Sequence, residues 1–401
     1  MTDQPKLTWL GKLAIAAVVA GCLYAAYVYF FSSGNWNPFA PARAAGTETA
    51  AGRTPSGGAT RIGVAYGTEK KQWLEGAARE FAQSAEGRGI TVDLIPMGSL
   101  EGAQAVLAGD QRIHVWSPAS RLYEATFVRD WEAKRGGKAI VRREDLALTP
   151  MVFVAWEERY RAFVAKYGKL TFEHVRAALG ETGGWDTIAR RPDWGLFKFG
   201  HTHPGQSNSG LATLVAMAYS YHRKNRGLEL KDILDAGFQS WLGQLQRGVT
   251  GLSNSTGNMM REMVLKGPSS FDALFVYENV AIEYLKSAEG RWGALHVVYP
   301  EQNLWNENPY CILDVPWSDG DQRAAADRFL EYLLSEPVQK QALIHGFRPS
   351  NLNVPVKTVD SPFTRLAANG IMVDIANTCE PPTAEVVENL LSSWQRQFGG
   401  R

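Results

Sequence analysis

The stretch RIGVAYGTEKKQWLEGAAREF, residues 61–81, decides how the rest of the chain is read. Arg61 to Tyr66 is a short apolar run, Gly67-Thr68 breaks it, and Trp73, Leu74, Ala77, Ala78 and Phe81 then recur at helical spacing. The order is strand, turn, helix, and it returns at once. Ile90 to Ile95 reads as a strand, Met97-Gly98-Ser99 as a turn, and Leu100, Ala103, Val106 and Leu107 as a helix face closed by Gly109-Asp110. A third strand, Ile113 to Trp116, runs into Ser117-Pro118, which reads as an N-cap with proline at the first helical position. Strands alternating with helices at these distances imply a parallel sheet covered by helices on its faces. Ligands of such sheets sit beyond the carboxyl ends of the strands, where helix N-termini also point. Thr68, Ser99 and Ser117 are therefore expected to converge on one crevice, although each taken alone serves equally well as a helix cap.

Working outward, Leu146 to Trp156 (LALTPMVFVAW) is too continuously apolar for a surface strand and can carry the chain from one lobe to another. A second α/β region follows. It opens with a helical stretch near Thr171 to Leu179 and a strand candidate at Gly195 to Gly200. The polar loop HTHPGQSNSG, residues 201–210, comes next and feeds a helix with Leu211, Leu214, Val215, Ala218 and Tyr221 on one face. An anion at such a helix start meets free amides and the positive end of the dipole. Ser253 to Asn258 repeats the theme before a helix whose Met259, Met260 and Met263 read as a core face. Phe271 to Tyr277 is a buried-strand pattern, with Tyr277 and Glu278 at its carboxyl end. The tail returns to helices carrying Ala324, Ala325, Phe329, Tyr332 and Leu333, and Glu336-Pro337 starts another.

The ends and the composition set the frame. Of 401 residues, 42 are Lys or Arg and 41 Asp or Glu, a net charge of +1 that offers no bulk attraction to nucleic acid. With 45% hydrophobic and 21% charged residues the chain can bury a large core. Leu13 to Phe31 is an uncharged apolar run preceded by Lys6 and Lys12, long enough to approach the bilayer's hydrocarbon thickness. It reads as an N-terminal membrane anchor over residues 1–31. A cleaved signal ending near Ala42 or Ala44 and a lipoprotein signal at Cys22 are the alternatives. Residues 32–60 have linker composition. By the positive-inside tendency the bulk of the chain then lies outside the cytoplasm. There Cys311 and Cys379 could pair as a disulfide or stay as two buried thiols.

At this point the sequence resembles the type II periplasmic solute-binding proteins, within them the molybdate-binding-like cluster. The resemblance rests on RIGVAYGTEK, GHTHPGQSNSGLATL, FDALFVYEN and AADRFLEYLLSEPVQKQALIHGFRP, and it covers about residues 61–350. It implies an α/β fold of two Rossmann-like lobes joined by crossing strands, with residues 61–150 and 301–401 as lobe 1 and 151–300 as lobe 2. It also implies a small polar solute, an oxyanion favoured, held in the cleft without a cofactor and presented to an ABC-type permease. Carried over by position, the cleft would be formed by Thr68, Ser99 and Ser117 from lobe 1, and by Ser207, Asn208, Ser209, Thr256 and Tyr277 from lobe 2. Glu278 departs from an oxyanion site: either it turns outward, or the ligand is a cation, polyol or amine.

Competing chemistries have weaker support. Ser207 and Ser209 lack the G-x-S-x-G context of an activated nucleophile, and His201 and His203 have no carboxylate or cysteine beside them to complete a metal set. Neither an enzyme nor a metal site is expected. A membrane-tethered sensing module that kept the fold without a transporter is the alternative to solute delivery.

Overall fold

The computed structural model describes residues 59–399. The expected anchor, Cys22 and nearly all of the expected linker fall on residues 1–58, outside the described residues. Among the described residues no helix is long and apolar enough to cross a membrane.

The chain lays down β1 (Thr60–Tyr66), β2 (Ile90–Pro96), β3 (Val115–Ser117) and β4 (Ile140–Asp145) in one half of the molecule, then crosses on β5 (Ala147–Trp156). β6 (Phe199–Thr202), β7 (Leu252–Ser253), β8 (Ala273–Tyr277) and β9 (Leu295–Val298) build the other half. β10 (Trp305–Asn306) leads back to β11 (Pro309–Leu313), and β12 (Arg348–Pro349) pairs with the start of β5. The first sheet has the order β2-β1-β3-β11-β4, with β1 parallel to β2 and β3, and β11 antiparallel to β3 and β4. In the second, β5 lies antiparallel to β8 and β9, while β6 runs parallel to β8 and β7. β5 thus belongs to both halves: its first residues pair with β12 and β10, its last with β8 and β9.

The apolar runs are explained by burial on two faces. In β1, Ile62, Val64 and Tyr66 pack into a core with Trp73, Phe81 and Phe329, while Ala65 joins a second core with Trp116 and Phe127. β5 and β8 are buried along almost their whole length in the core of the second lobe. The helix expected near Thr171 spans Phe172–Gly180 and is capped by Thr171, whose hydroxyl accepts the His174 amide at 3.3 Å.

Three details depart from the sequence reading and a fourth decides between two open readings. The strand expected at Gly195 to Gly200 begins only at Phe199, because a turn through Pro192–Trp194 ends on Gly195 at φ 69° and pairing with β8 starts at Phe199. The cap expected at Ser117 is Ser120: Ser117 closes β3, and Ser120 Oγ accepts the Leu122 amide at 3.3 Å ahead of the helix Glu124–Arg135. Residues 301–401 do not all join lobe 1. The helix Ala384–Phe398 carries Val387, Leu390 and Trp394 on one stripe and buries them in the core of lobe 2, as do Phe363 and Ile371 before it. Cys311 and Cys379 are free buried thiols in different cores, so of the two readings the structure has the unbridged one.

Candidate functional site

Five helical segments begin at one cleft between the halves. From lobe 1 come the turn Thr68–Lys70 that runs into the helix Lys71–Gln83, and the helix Ser99–Ala108. From lobe 2 come the helices Asn208–His222, Thr256–Lys266 and Glu278–Glu289. Each follows the carboxyl end of a strand or a short loop from it, which is what strand-then-helix order dictates. The cavity measures about 820 Å³, within the range of small-molecule sites. First-turn amides of a helix have no intrahelical acceptor, so this convergence concentrates donors and positive dipole ends on one volume.

Of the residues singled out in the sequence, Thr68, Ser99, Ser207, Asn208, Thr256 and Tyr277 line this cavity. Their hydroxyls do not act as helix caps. Ser99 Oγ accepts the Ala119 amide at 3.0 Å and so braces the segment after β3, and Ser255, not Thr256, caps its helix by accepting the Asn258 amide at 3.3 Å. Asn208 is fully engaged. Its Oδ1 accepts from Ser120 Oγ at 2.8 Å in lobe 1, and its Nδ2 donates to the Tyr277 hydroxyl at 3.0 Å and to Asn306 Oδ1 at 3.3 Å. Burial, with the Glu69 carboxylate beside it, pushes the Tyr277 phenol well above its usual range, so it stays protonated.

The other three lie off the cavity. Ser209 is fully buried behind it, its Oγ bonded to Thr202 Oγ1 at 2.5 Å, Thr256 Oγ1 at 2.5 Å and Ser207 Oγ at 3.1 Å, so it orients two lining hydroxyls. Ser117 is buried with an unpartnered hydroxyl. Glu278 turns away from the cleft, yet not outward as expected: it is wholly buried in an ion pair with Arg348 (2.7 and 2.8 Å) and accepts the Tyr299 hydroxyl. Burial raises its pKa, and Arg348 opposes that rise. His201 and His203 also part company: His201 is buried against the Thr202 carbonyl and Gln246, and His203 meets the Trp394 ring edge-on. Among the described residues no group of three His, Cys, Asp or Glu could hold a metal.

Sequence reasoning passed over the charged residues of the cleft. Glu69 lines its floor, paired at 2.6 Å with Lys70. Lys70 is completely buried and also donates to the Pro118 carbonyl at 3.1 Å and Asn308 Oδ1 at 3.2 Å. Burial lowers its pKa and Glu69 counters that. Glu75, Arg261 and Glu283 line the walls. Their signal was present as helical spacing, with Lys71, Gln72 and Glu75 on one helix and Val280, Glu283 and Tyr284 on another, but spacing alone does not say which face meets a cleft.

Comparison with known proteins agrees with this architecture. Residues 62–348 match the model of the family described as bacterial extracellular solute-binding protein. A thiosulfate-binding protein from Pseudomonas aeruginosa is 30% identical over 158 residues, a match spanning 39% of this chain and 44% of the relative's length. Among solved structures, the sulfate-binding protein SubI from Mycobacterium tuberculosis H37Rv superposes with TM-score 0.53 at 16% identity, over 84% of this chain and 99% of that one. A periplasmic thiamin binding protein gives 0.57 at 12% identity, over 84% and 96%. Iron-bound HitA from Pseudomonas aeruginosa gives 0.56 at 13%, over 84% and 99%. At such identities these structures share the fold alone, that of the type II periplasmic binding proteins. The extent of the family match makes the chain a member of the bacterial extracellular solute-binding protein family, a family of binders and not of enzymes.

Proposed function

We propose that this protein captures a small polar solute bearing an oxyanion group in the interlobe cleft, outside the cytoplasm, and presents it to an ABC-type importer. The observation that carries the reading is the meeting of helix N-termini from both lobes on one cavity lined by Ser99, Ser207, Thr256 and Tyr277. Neutral donors and helix ends hold an oxyanion by charge-assisted hydrogen bonds while the protein supplies little net charge of its own. The stretch shared with a thiosulfate-binding protein supports the same chemical class. Anchoring through the apolar segment at residues 13–31 would keep the binder at the membrane surface where a permease sits.

A ligand that binds only the native state raises the melting temperature by mass action. The full-length chain is expected to show such a rise with at least one member of a panel containing thiosulfate, sulfate, molybdate and organic phosphonates. No shift with any small solute would favour the sensing or interaction module over solute capture.

A further inference from the structure

The charge around the cleft has the wrong sign for a bare inorganic oxyanion. Its lining includes Glu69, Glu75, Glu101 and Glu283 against Lys71 and Arg261. Three of the carboxylates have other work. Lys70 neutralises Glu69 from behind the floor, Glu101 accepts the Gly98 amide at 3.1 Å, and Glu75 lies 4.0 Å from Lys71. Glu283 has no cationic partner among the described residues, only the Gln72 side-chain amide from the opposite lobe.

The size of the cavity points the same way. The rims already touch at two places: Gln72 reaches Glu283 across the mouth, and Gly98 lies so close to lobe 2 that a Cβ there would be 2.8 Å from the Gln206 carbonyl oxygen. With the walls in contact, about 820 Å³ still stands between them, far more than a tetrahedral anion fills. From the start of its helix at Glu278 to Glu283, five residues rise about 7.5 Å. Glu283 therefore lies that far along its helix from the strand end at Tyr277, and it is exposed where the lining residues Ser207, Thr256 and Tyr277 are buried.

We propose that the ligand is an organic zwitterion, its acidic group on the floor against Ser207, Thr256 and the helix starts they mark, and its ammonium group toward the mouth against Glu283. The proposal rests on solute capture in this cleft and narrows the solute. It makes Glu283 a specificity-determining residue: a carboxylate without a countercharge repels a bare anion and attracts one that carries its own cation.

The test is calorimetric titration of the full-length chain with 4-aminobutylphosphonate and butylphosphonate, which differ by the amine, and with thiosulfate. The aminated compound is expected to bind at least tenfold more tightly than its partner, and Glu283→Gln should bring the ratio toward one without weakening butylphosphonate. Binding of thiosulfate or butylphosphonate with no gain from the amine would overturn the zwitterion and leave oxyanion capture standing, as would a ratio unchanged by Glu283→Gln. Silence with all three, and with sulfate and molybdate as well, would overturn both.

Discussion

Lys70, behind the lining residue Glu69, shows how much of a cleft is decided by a side chain hidden from it. A buried ammonium with three acceptors is stable only while all three remain. Lys70→Met should leave Glu69 desolvated and unpaired and cost about 3–5 kcal/mol in urea unfolding. Adding Glu69→Gln should recover part of that loss, and no recovery would argue against the pair. His201 sets a pH dependence. Burial depresses its pKa from 6.5 to about 4, so the folded state holds it neutral while the unfolded chain protonates it. The unfolded chain binds more protons between pH 6.5 and about 4, so the fold loses stability as pH falls through that window, by roughly 3 kcal/mol from this residue. His201→Gln should flatten that part of a stability-against-pH profile, and a slope unchanged in the variant would contradict the assignment. None of these roles was legible in the sequence. A lone lysine in a turn and a histidine in a polar loop carry no local mark of full burial, because burial is a property of what packs on them from 50 to 240 residues away.

At the scale of elements the sequence was more informative, because periodicity reports directly on which faces are covered. The order strand, turn, helix, the long run Leu146 to Trp156 and the donor-rich helix starts at Ser207 and Thr256 are all present in the structure. What pattern could not settle was which hydroxyl caps and which lines, since Ser117 and Ser120, or Ser255 and Thr256, differ only by a short step along the chain. Nor could it settle where the final helix packs. Ala384–Phe398 has a strong apolar stripe that would suit either lobe. Its partners decide: Trp394 meets His203 and donates to Gln246 at 2.8 Å in lobe 2, while Glu388 reaches back to Thr126 at 2.6 Å and Arg129 at 2.7 Å in lobe 1. Trp394→Ala should cost about 3–5 kcal/mol, as truncation of a buried aromatic does. Glu388→Ala, whose Arg129 partner is largely solvated, should cost under about 1 kcal/mol. Denaturant midpoints of the two variants would check the contrast, and equal losses would contradict the packing described.

At the scale of the molecule, the halves share more than a linker. β5 pairs in both, the return through β10 and β11 runs beside it, and the tail crosses once more to lobe 2. The near-zero net charge fits recognition by local groups inside a cleft, with no surface field to gather a polyanion. The central claim is that this cleft holds the solute. Its most direct test is calorimetric titration of the wild-type chain and of Thr256→Val with whichever solute of the panel raises the melting temperature. The account predicts that the variant, its lining hydroxyl replaced by a methyl, binds at least tenfold more weakly, while the lost bond to Ser209 lowers the melting temperature of the empty protein only modestly, by about 1 kcal/mol of stability. Equal affinity in the two proteins would contradict it.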